Sequence, residues 1–139
     1  MPRGLRLLRD VYLPVRVLVT GNLGYIGPVL CRALLKEDHE VVGLDSGLYA
    51  KYATGPLPKV DQIIGDIRSA TDVRTAMRGC DAVIHLAGMS NDPLGELDPS
   101  LTKDVNFRAT MRLADVAGDR PFIFYSSASV YGANQEPCS

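Results

Sequence analysis

The hydrophobic pattern of the chain alternates between short apolar segments and longer segments with helical spacing. The apolar segments are Val15–Thr20, Glu40–Asp45, Val60–Ile64, Ala82–Leu86 and Pro121–Ser126. Strands that are buried on both faces have this composition, because both sets of side chains meet apolar neighbours. The sequence therefore predicts five strands with these limits.

The segments between the predicted strands contain helix signals. Pro28 lies near the start of the first helix, Ser69 caps the second, which ends at Gly79, and Asp98-Pro99 begins the third, which ends at Gly118. Residues 46–59, rich in Gly, Pro and Tyr, are predicted to form a loop with at most one helical turn. The predicted inner faces of the helices contain Ile26, Leu30 and Ala33, then Val73, Ala76 and Met77, then Leu101, Val105 and Leu113.

The alternation of strands and helices indicates right-handed βαβ units and a parallel sheet with helices on both faces. The predicted fold class is therefore α/β, a doubly wound parallel sheet of the Rossmann type with strand order 3-2-1-4-5. We interpret residues 1–14 as a lead-in segment and residues 15–139 as one dinucleotide-binding domain. A complete fold of this class has a sixth strand and a substrate region, so we expect the domain to be incomplete.

Composition excludes several classes of protein. The 139 residues are 46% hydrophobic with a net charge of −1, which argues against disorder and against a dedicated nucleic-acid binder. No apolar run approaches the ~18 residues of a membrane span, and arginines interrupt the N-terminal segment, which leaves a loose lead-in or a basic targeting segment as interpretations. The cysteines have no paired spacing, so we expect no disulfide framework, no metal site and a reducing, cytoplasmic location; they are Cys31, Cys80 and Cys138.

A GxxGxxG motif follows the first predicted strand and opens the first predicted helix, at Thr20–Gly27. Gly21 permits a tight turn with an unusual φ, Gly24 leaves the backbone open to a pyrophosphate, and Gly27 lets the helix pack close to the sheet. The positive end of the helix, with its free N–H groups, would face the anion. This context favours a dinucleotide-binding turn over a plain glycine-rich connection.

Asp45 ends the second predicted strand, where a carboxylate can accept hydrogen bonds from the adenosine ribose of a dinucleotide. Its negative charge would repel a 2′-phosphate, and no basic residue follows until Lys51. We therefore expect NAD rather than NADP as the cofactor. A solvated Asp at a strand end is the alternative.

Five ordered motifs resemble those of the extended short-chain dehydrogenases/reductases. They are Thr20–Gly27, Gly65–Arg68 (GDIR), His85–Gly88 (HLAG), Val105-Asn106 with Ala109-Thr110, and Ser126–Gly132 (SSASVYG). Within that family the chain is similar to the NAD-dependent epimerase/dehydratase group that acts on nucleotide sugars. The resemblance covers residues 15–137, and it implies NAD as cofactor and a nucleotide sugar as substrate.

The resemblance also implies individual site residues. Ser127 matches the catalytic Ser/Thr that hydrogen-bonds the sugar oxygen being oxidised. The implied cofactor-binding residues are Gly21, Gly24, Tyr25, Ile26 and Gly27 at the pyrophosphate, Asp45 at the ribose, Asp66 and Ile67 at the adenine, Leu86, Ala87 and Gly88 beside the riboses, and Asn106 on the long helix, directed toward the active site.

Some of these residues have structural alternatives. Asp66 could cap the turn after the third strand, His85 is more simply a satisfied core histidine than a base, and Asn106 could face solvent. Hydroxyls of the SSASVYG loop could bond local backbone, and its Tyr131 does not match the family's catalytic tyrosine. A lysine that familiar UDP-galactose epimerases carry near Ser90 is absent, which leaves the sugar unassigned.

The family's Tyr-x-x-x-Lys pair does not occur in the 139 residues. In that pair the lysine lowers the pKa of the tyrosine, which takes the hydroxyl proton while hydride passes to NAD. We therefore expect the NAD-binding N-terminal part of a longer enzyme, with negligible turnover by itself. A non-catalytic NAD-binding module that pairs with another chain is the alternative. In either case we expect homo-oligomers or other association through an exposed apolar sheet edge.

Overall fold

The sheet has the predicted architecture. The computed structural model describes residues 13–52, 55–89 and 98–127. Within them five parallel strands form one sheet in the order β3-β2-β1-β4-β5, which confirms the predicted topology. The strands lie within the predicted limits, short of them by at most two residues at an end: β1 (Arg16–Thr20), β2 (Glu40–Asp45), β3 (Asp61–Ile64), β4 (Ala82–His85) and β5 (Phe122–Phe124).

The helices begin at the predicted caps. The Ser69 hydroxyl accepts a hydrogen bond from the Asp72 N–H, and the Asp98 carboxylate accepts one from the Leu101 N–H. None of the helices described has the length and apolar composition needed to cross a bilayer. The helical elements are α1 (Gly27–Lys36), α2 (Ala70–Met77), α3 (Pro99–Lys103), a π segment (Asp104–Ala109) and α4 (Thr110–Ala117), and a 3₁₀ turn (Ala50–Tyr52) follows β2.

Hydrophobic cores lie on both faces of the sheet, as predicted. Because strand side chains alternate, Val17 and Val19 of β1 pack on the face covered by α1, whereas Leu18 packs on the other face. That second face is covered by α2 and α4, which contribute Val73 and Leu113. The ends of the strands therefore remain available to form a site.

The predicted inner face of α1 was wrong at Ile26 and Ala33 and right at Leu30. Ile26 is 49% exposed and Ala33 is exposed, whereas Gly27 and Cys31 are buried. Leu30 and Leu34 are half-buried and pack with Cys31 against the sheet. A small residue at position 27 brings the start of the helix close to its neighbours, so the buried stripe is rotated and Ile26 is left on the open side.

The third predicted helix is interrupted by the π segment, which the sequence analysis did not predict. Its inner positions recur every four residues, and in a straight α-helix each such step over-rotates the stripe by about 40°. A π segment has wider turns and so reduces this rotation. The interruption therefore keeps one stripe on the core along the whole length: Leu101 and Val105, half-buried, then Ala109, Leu113 and Ala117, fully buried.

Candidate cofactor-binding site

A cleft of about 750 Å³ lies where the loops after β1, β2, β3 and β4 meet. It contains the sequence-predicted residues from all four loops, which are Gly21, Gly24, Tyr25, Ile26, Gly27, Asp45, Asp66, Ile67, Leu86, Ala87 and Gly88. Two predicted residues, Asn106 and Ser127, are not among those that line it. The carboxyl ends of strands around a change in strand order form such crevices in open α/β sheets.

The loop between β1 and α1, which we call the glycine loop (Gly21–Ile26), has the predicted backbone. Gly21 has φ +73°, and a Cβ there would lie 2.7 Å from the Ala87 backbone nitrogen. A Cβ on Gly27 would lie 2.3 Å from the Asn22 carbonyl oxygen. Gly27 therefore allows the start of the helix to approach the backbone of the loop, and its part in packing the helix against the sheet stays a prediction.

The glycine loop offers unpaired donors to the cleft. Within the described part of the chain, the N–H groups of Tyr25 and Ile26 have no hydrogen-bond partner. Both precede α1, where the partial positive charge of the helix end lies. Tyr25 is 89% exposed and Ile26 is 49% exposed, and both residues line the cleft. The donors and the absent side chain at Gly24 fit a diphosphate group.

A pair of side-chain amides connects the glycine loop to β3. The buried Asn22 donates from Nδ2 to the Gln62 Oε1 over 2.6 Å and accepts at Oδ1 from the Gln62 Nε2 over 3.2 Å. Gly43 of β2 makes room, since a Cβ there would lie 2.3 Å from the Asn22 Nδ2. This pair was not predicted, because nothing in the local pattern connects residues 40 positions apart.

Asp45 connects the glycine loop to the end of β2. Its Oδ2 accepts from the Leu23 N–H over 3.0 Å, and its Oδ1 accepts from the Gly47 N–H over 2.8 Å. Two backbone donors therefore orient the carboxylate while it lines the cleft. Each carboxylate oxygen keeps acceptor capacity for a ligand hydroxyl.

Asp66 lies at the end of β3 and forms an ion pair with Arg68. Its Oδ2 accepts from the Arg68 Nη2 over 2.6 Å, and these hydrogen bonds hold the pKa of Asp66 below its usual value. The Asp66 N–H donates to the Asp72 Oδ2 over 2.9 Å, so the first turn of α2 anchors this corner. Asp66 therefore remains a carboxylate at the rim of the cleft.

The loop after β4, which we call the β4 loop (Leu86–Met89), forms the opposite wall. The Leu86 N–H donates to the Thr20 carbonyl over 3.1 Å, which extends the pairing of β4 with β1. Asn106, from the π segment, accepts at Oδ1 from the Met89 N–H over 2.7 Å and donates from Nδ2 to the Met89 carbonyl over 2.8 Å. Asn106 was predicted to contact the cofactor, but in the structure it holds the loop that does line the cleft.

His85, at the end of β4, is a fully buried core residue, as the sequence analysis preferred. Its Nδ1 lies 2.6 Å from the Thr20 Oγ1, and its Nε2 lies 2.8 Å from the Thr110 Oγ1. The ring stacks on Phe124 of β5 with centroids 5.6 Å apart. Burial lowers the pKa of His85 to about 4, so the ring is neutral at physiological pH.

Ser127, the predicted catalytic residue, is exposed beyond β5. Residues 128–132 of its SSASVYG loop lie outside the described residues, so its role stays a prediction.

Further residues line the cleft without having been predicted. The aromatic loop after β2 contributes Tyr49 and Tyr52, for which the Tyr-rich composition was the only sequence signal. The other unpredicted residues include Arg32, Leu48, Arg68, Met89, Leu101 and Val105.

Comparison with known proteins places this geometry in a family. Residues 17–139 match the NAD dependent epimerase/dehydratase family. A "UDP-glucose 4-epimerase" of Klebsiella pneumoniae is 37% identical over 131 residues, covering 85% of this chain and 93% of the relative. A "3-beta-hydroxysteroid dehydrogenase" of Mycolicibacterium neoaurum is 33% identical, covering 87% of this chain but 34% of the relative. The chain therefore spans nearly all of one relative and about a third of the other.

Solved structures agree with the sequence relatives. The crystal structure of a UDP-glucose-4-epimerase from Stenotrophomonas maltophila, with bound NAD and formylated UDP-arabinopyranose, matches with a TM-score of 0.75 and 30% identity. The match covers 88% of this chain and 40% of that one. With the family match over most of the chain, the strand order and the cleft between glycine and β4 loops, these similarities establish that the chain belongs to the NAD dependent epimerase/dehydratase family.

Proposed function

We propose that this chain is the NAD-binding part of a nucleotide-sugar epimerase or dehydratase. The observation that carries the proposal is that the four loops expected to contact a dinucleotide line one cleft. A cleft of about 750 Å³ lies within the 300–1,000 Å³ usual for cofactor sites. The family dependence on NAD and the NAD bound in a solved relative support the same cofactor.

Each part of the cleft has a proposed role. The unpaired N–H groups of Tyr25 and Ile26, together with Gly21, Gly24 and Gly27, receive the diphosphate. The Asp45 carboxylate accepts from the adenosine ribose hydroxyls, while its two backbone donors keep it oriented. Further along the cleft, Asp66 and Ile67 contact the adenine, and Leu86, Ala87 and Gly88 lie against the riboses.

The chemistry of the whole enzyme follows from these parts. NAD, when bound, would accept a hydride from a sugar carbon, which is the transient oxidation that epimerisation or dehydration requires. Ser127 would hydrogen-bond the sugar oxygen at that carbon. The proton acceptor is the Tyr-x-x-x-Lys pair of the family, which these 139 residues do not contain. The chain alone is therefore proposed to bind NAD without appreciable turnover.

The steroid dehydrogenase relatives support a second substrate class. Their similarity to this chain, at 33% identity for the mycobacterial enzyme, is close to that of the epimerases. In this second proposal the parent enzyme would oxidise one alcohol carbon of a steroid, and the chain would supply the same cofactor-binding part. The parent enzyme, with its substrate region, separates the two classes: an effect of UDP-glucose on its NAD affinity would favour the nucleotide-sugar class, whereas an effect of a 3β-hydroxysteroid alone would favour the second.

Calorimetric titration of the chain with NAD and NADP tests the proposal. We expect NAD to bind more tightly than NADP, because the Asp45 carboxylate repels a 2′-phosphate. Asp45→Asn should reduce that preference by about tenfold, since one charge contact of this kind is worth roughly 1–2 kcal/mol. Asp61→Asn is the matched control, because Asp61 pairs with Arg16 in an exposed ion pair outside the cleft. No binding of either dinucleotide by the wild-type chain would overturn the proposal.

The exposed edge of β5 supports a further proposal, that copies of the chain associate there. Ile123 is 53% exposed and Phe124 is 52% exposed. β5 also ends the described sheet, so its outer backbone groups can pair with another strand. Sedimentation across a range of concentrations tests this: a mass that rises with concentration and falls for Ile123→Lys supports it, and a constant monomer mass contradicts it.

A further inference from the structure

The hydrogen bonds around His85 form one continuous chain whose donors and acceptors can be assigned. The Thr110 Oγ1 lies 3.0 Å from the Asn106 carbonyl, which can only accept. The single hydroxyl proton of Thr110 is therefore committed to that carbonyl, because two unprotonated oxygens at this distance would repel each other. The Thr110 oxygen is left as the acceptor from the His85 Nε2, 2.8 Å away.

The other side of the ring is compatible with this assignment. The Ala87 N–H donates to the Thr20 Oγ1 over 3.4 Å, so the Thr20 hydroxyl proton is free to donate to the His85 Nδ1 over 2.6 Å. A hydroxyl can also accept, so the Thr20 side alone does not select a tautomer, and the Thr110 side decides it. The neutral ring that carries its proton on Nε2 satisfies both sides.

This chain of hydrogen bonds begins on the β4 loop and ends on Asn106, whose side chain returns to that loop. At one end it reaches Ala87 through Thr20, and at the other it reaches the backbone of Asn106 through Thr110. The Asn106 side chain then makes two hydrogen bonds to the Met89 backbone. A buried ring thus connects β1, β4 and the π segment to both ends of the loop that lines the cleft.

We propose that His85 is a positioning residue, which in its Nε2–H form fixes the β4 loop in the shape that receives the cofactor. The statement that the β4 loop receives a cofactor rests on the proposed function. The statement that His85 fixes the β4 loop does not. Hydrophobic packing against Phe124 keeps the ring in its plane, whereas the hydrogen bonds determine where Ala87 and Met89 lie. The role is therefore distinct from that of an ordinary core residue, which affects stability alone.

The tautomer is tested by ¹H–¹⁵N NMR of the imidazole in the wild-type chain without ligand. The chain has two histidines, and His39→Gln identifies the signals of His85. We expect a protonated Nε2 and an unprotonated Nδ1 held in one form. A ring with its proton on Nδ1, or one that averages between the two forms, would overturn the proposal. This measurement needs no variant of His85 that folds and no bound NAD.

The connection to the β4 loop is tested at Thr110. Thr110→Val removes the hydroxyl, and we expect amide hydrogen exchange at Ala87 and Met89 to accelerate by about tenfold, as when a buried polar partner is lost. Thr110→Ser keeps the hydroxyl and should stay within about twofold of wild type. Thr102→Val is the matched control, because Thr102 also donates to the carbonyl four residues before it but has no histidine partner. Unchanged exchange in Thr110→Val, or equal acceleration in Thr102→Val, would contradict the role.

NAD titration connects the positioning to function. We expect Thr110→Val to weaken NAD binding by about tenfold, with Thr110→Ser and Thr102→Val within about twofold of wild type. If the exchange rates respond as expected while NAD affinity does not, the β4 loop is held by His85 but does not govern binding, and the positioning role fails. If the wild-type chain binds no NAD, the proposed function fails, and the tautomer and exchange measurements still decide the structural part.

Discussion

The glycine loop and the β4 loop line opposite walls of one cleft but are shaped by different forces. The glycine loop is shaped by backbone conformation, with φ +73° at Gly21 and no room for a Cβ at Gly27. The β4 loop is held by side chains from distant elements, through Thr20, His85 and Asn106. A backbone requirement selects glycine and can be recognised in a motif, whereas a side-chain network becomes visible only after the chain has folded.

Gly27→Ala is expected to have the largest effect on this comparison. Its Cβ would lie 2.3 Å from the Asn22 carbonyl oxygen, and backbone atoms on both sides must move. We expect a loss of about 3 kcal/mol or more in the free energy of unfolding, measured by urea denaturation. Gly24→Ala is the control, because its Cβ would lie 3.3 Å from the Gly21 oxygen, and it should cost less than about 1 kcal/mol. Equal losses would mean that the glycine loop is not rigid.

Acid should lower the free energy of unfolding by a similar amount, through the buried His85 next to the β4 loop. The folded-state pKa of His85, about 4, lies below its usual 6.5 because of burial. As the pH falls through this window, the unfolded state binds a proton that the folded state does not. The contribution of His85 to the free energy of unfolding is therefore full above pH 6.5, and it falls by about 1.4 kcal/mol per pH unit, or roughly 3 kcal/mol in all, as the pH approaches 4. Titration of the single ring in His39→Gln should show a midpoint near 4, and a midpoint near 6.5 would contradict the burial.

Gly24→Ala should separate ligand binding from folding in the glycine loop. A methyl group there enters the cleft beside the unpaired donors, so NAD affinity should fall by about tenfold. Adenosine, which has no diphosphate, should bind Gly24→Ala and wild type equally. Calorimetry with both ligands measures the difference. Equal weakening for adenosine would place the effect at the adenine end and would weaken the assignment of the diphosphate to this loop.

The smallest expected effect measures how much the Asn22–Gln62 amide pair stabilises the glycine loop. In a double-mutant cycle with Asn22→Ala and Gln62→Ala, we expect a coupling free energy of about 1 kcal/mol, because each single change leaves the other amide unpaired. Urea denaturation of the four proteins measures it. A coupling near zero would mean that the backbone alone maintains the loop, and the contrast with the β4 loop would become sharper.

Predictions from local signals were confirmed for most of the fold. The strand order, the caps at Ser69 and Asp98, and the positive φ of Gly21 depend on hydrophobic period or on residue types with few alternatives. The inner face of α1 was predicted wrongly at Ile26 and Ala33, because a stripe that begins at Ile26 and one that begins at Gly27 both satisfy helical spacing. Only the close approach of Gly27 to Asn22 distinguishes them.

The same distinction holds for the site. The amino-acid sequence by itself determined which loops follow the strands. It also determined that glycines lie in the loop after β1 and that an aspartate ends β2, because these features follow from local spacing and backbone freedom. The tertiary structure decided that Asn106 holds Met89, that Asn22 pairs with Gln62, and that the π segment interrupts the long helix. The two side-chain contacts join residues far apart in the chain, and the π segment depends on how the helix packs on the core, so none of the three is contained in a local pattern.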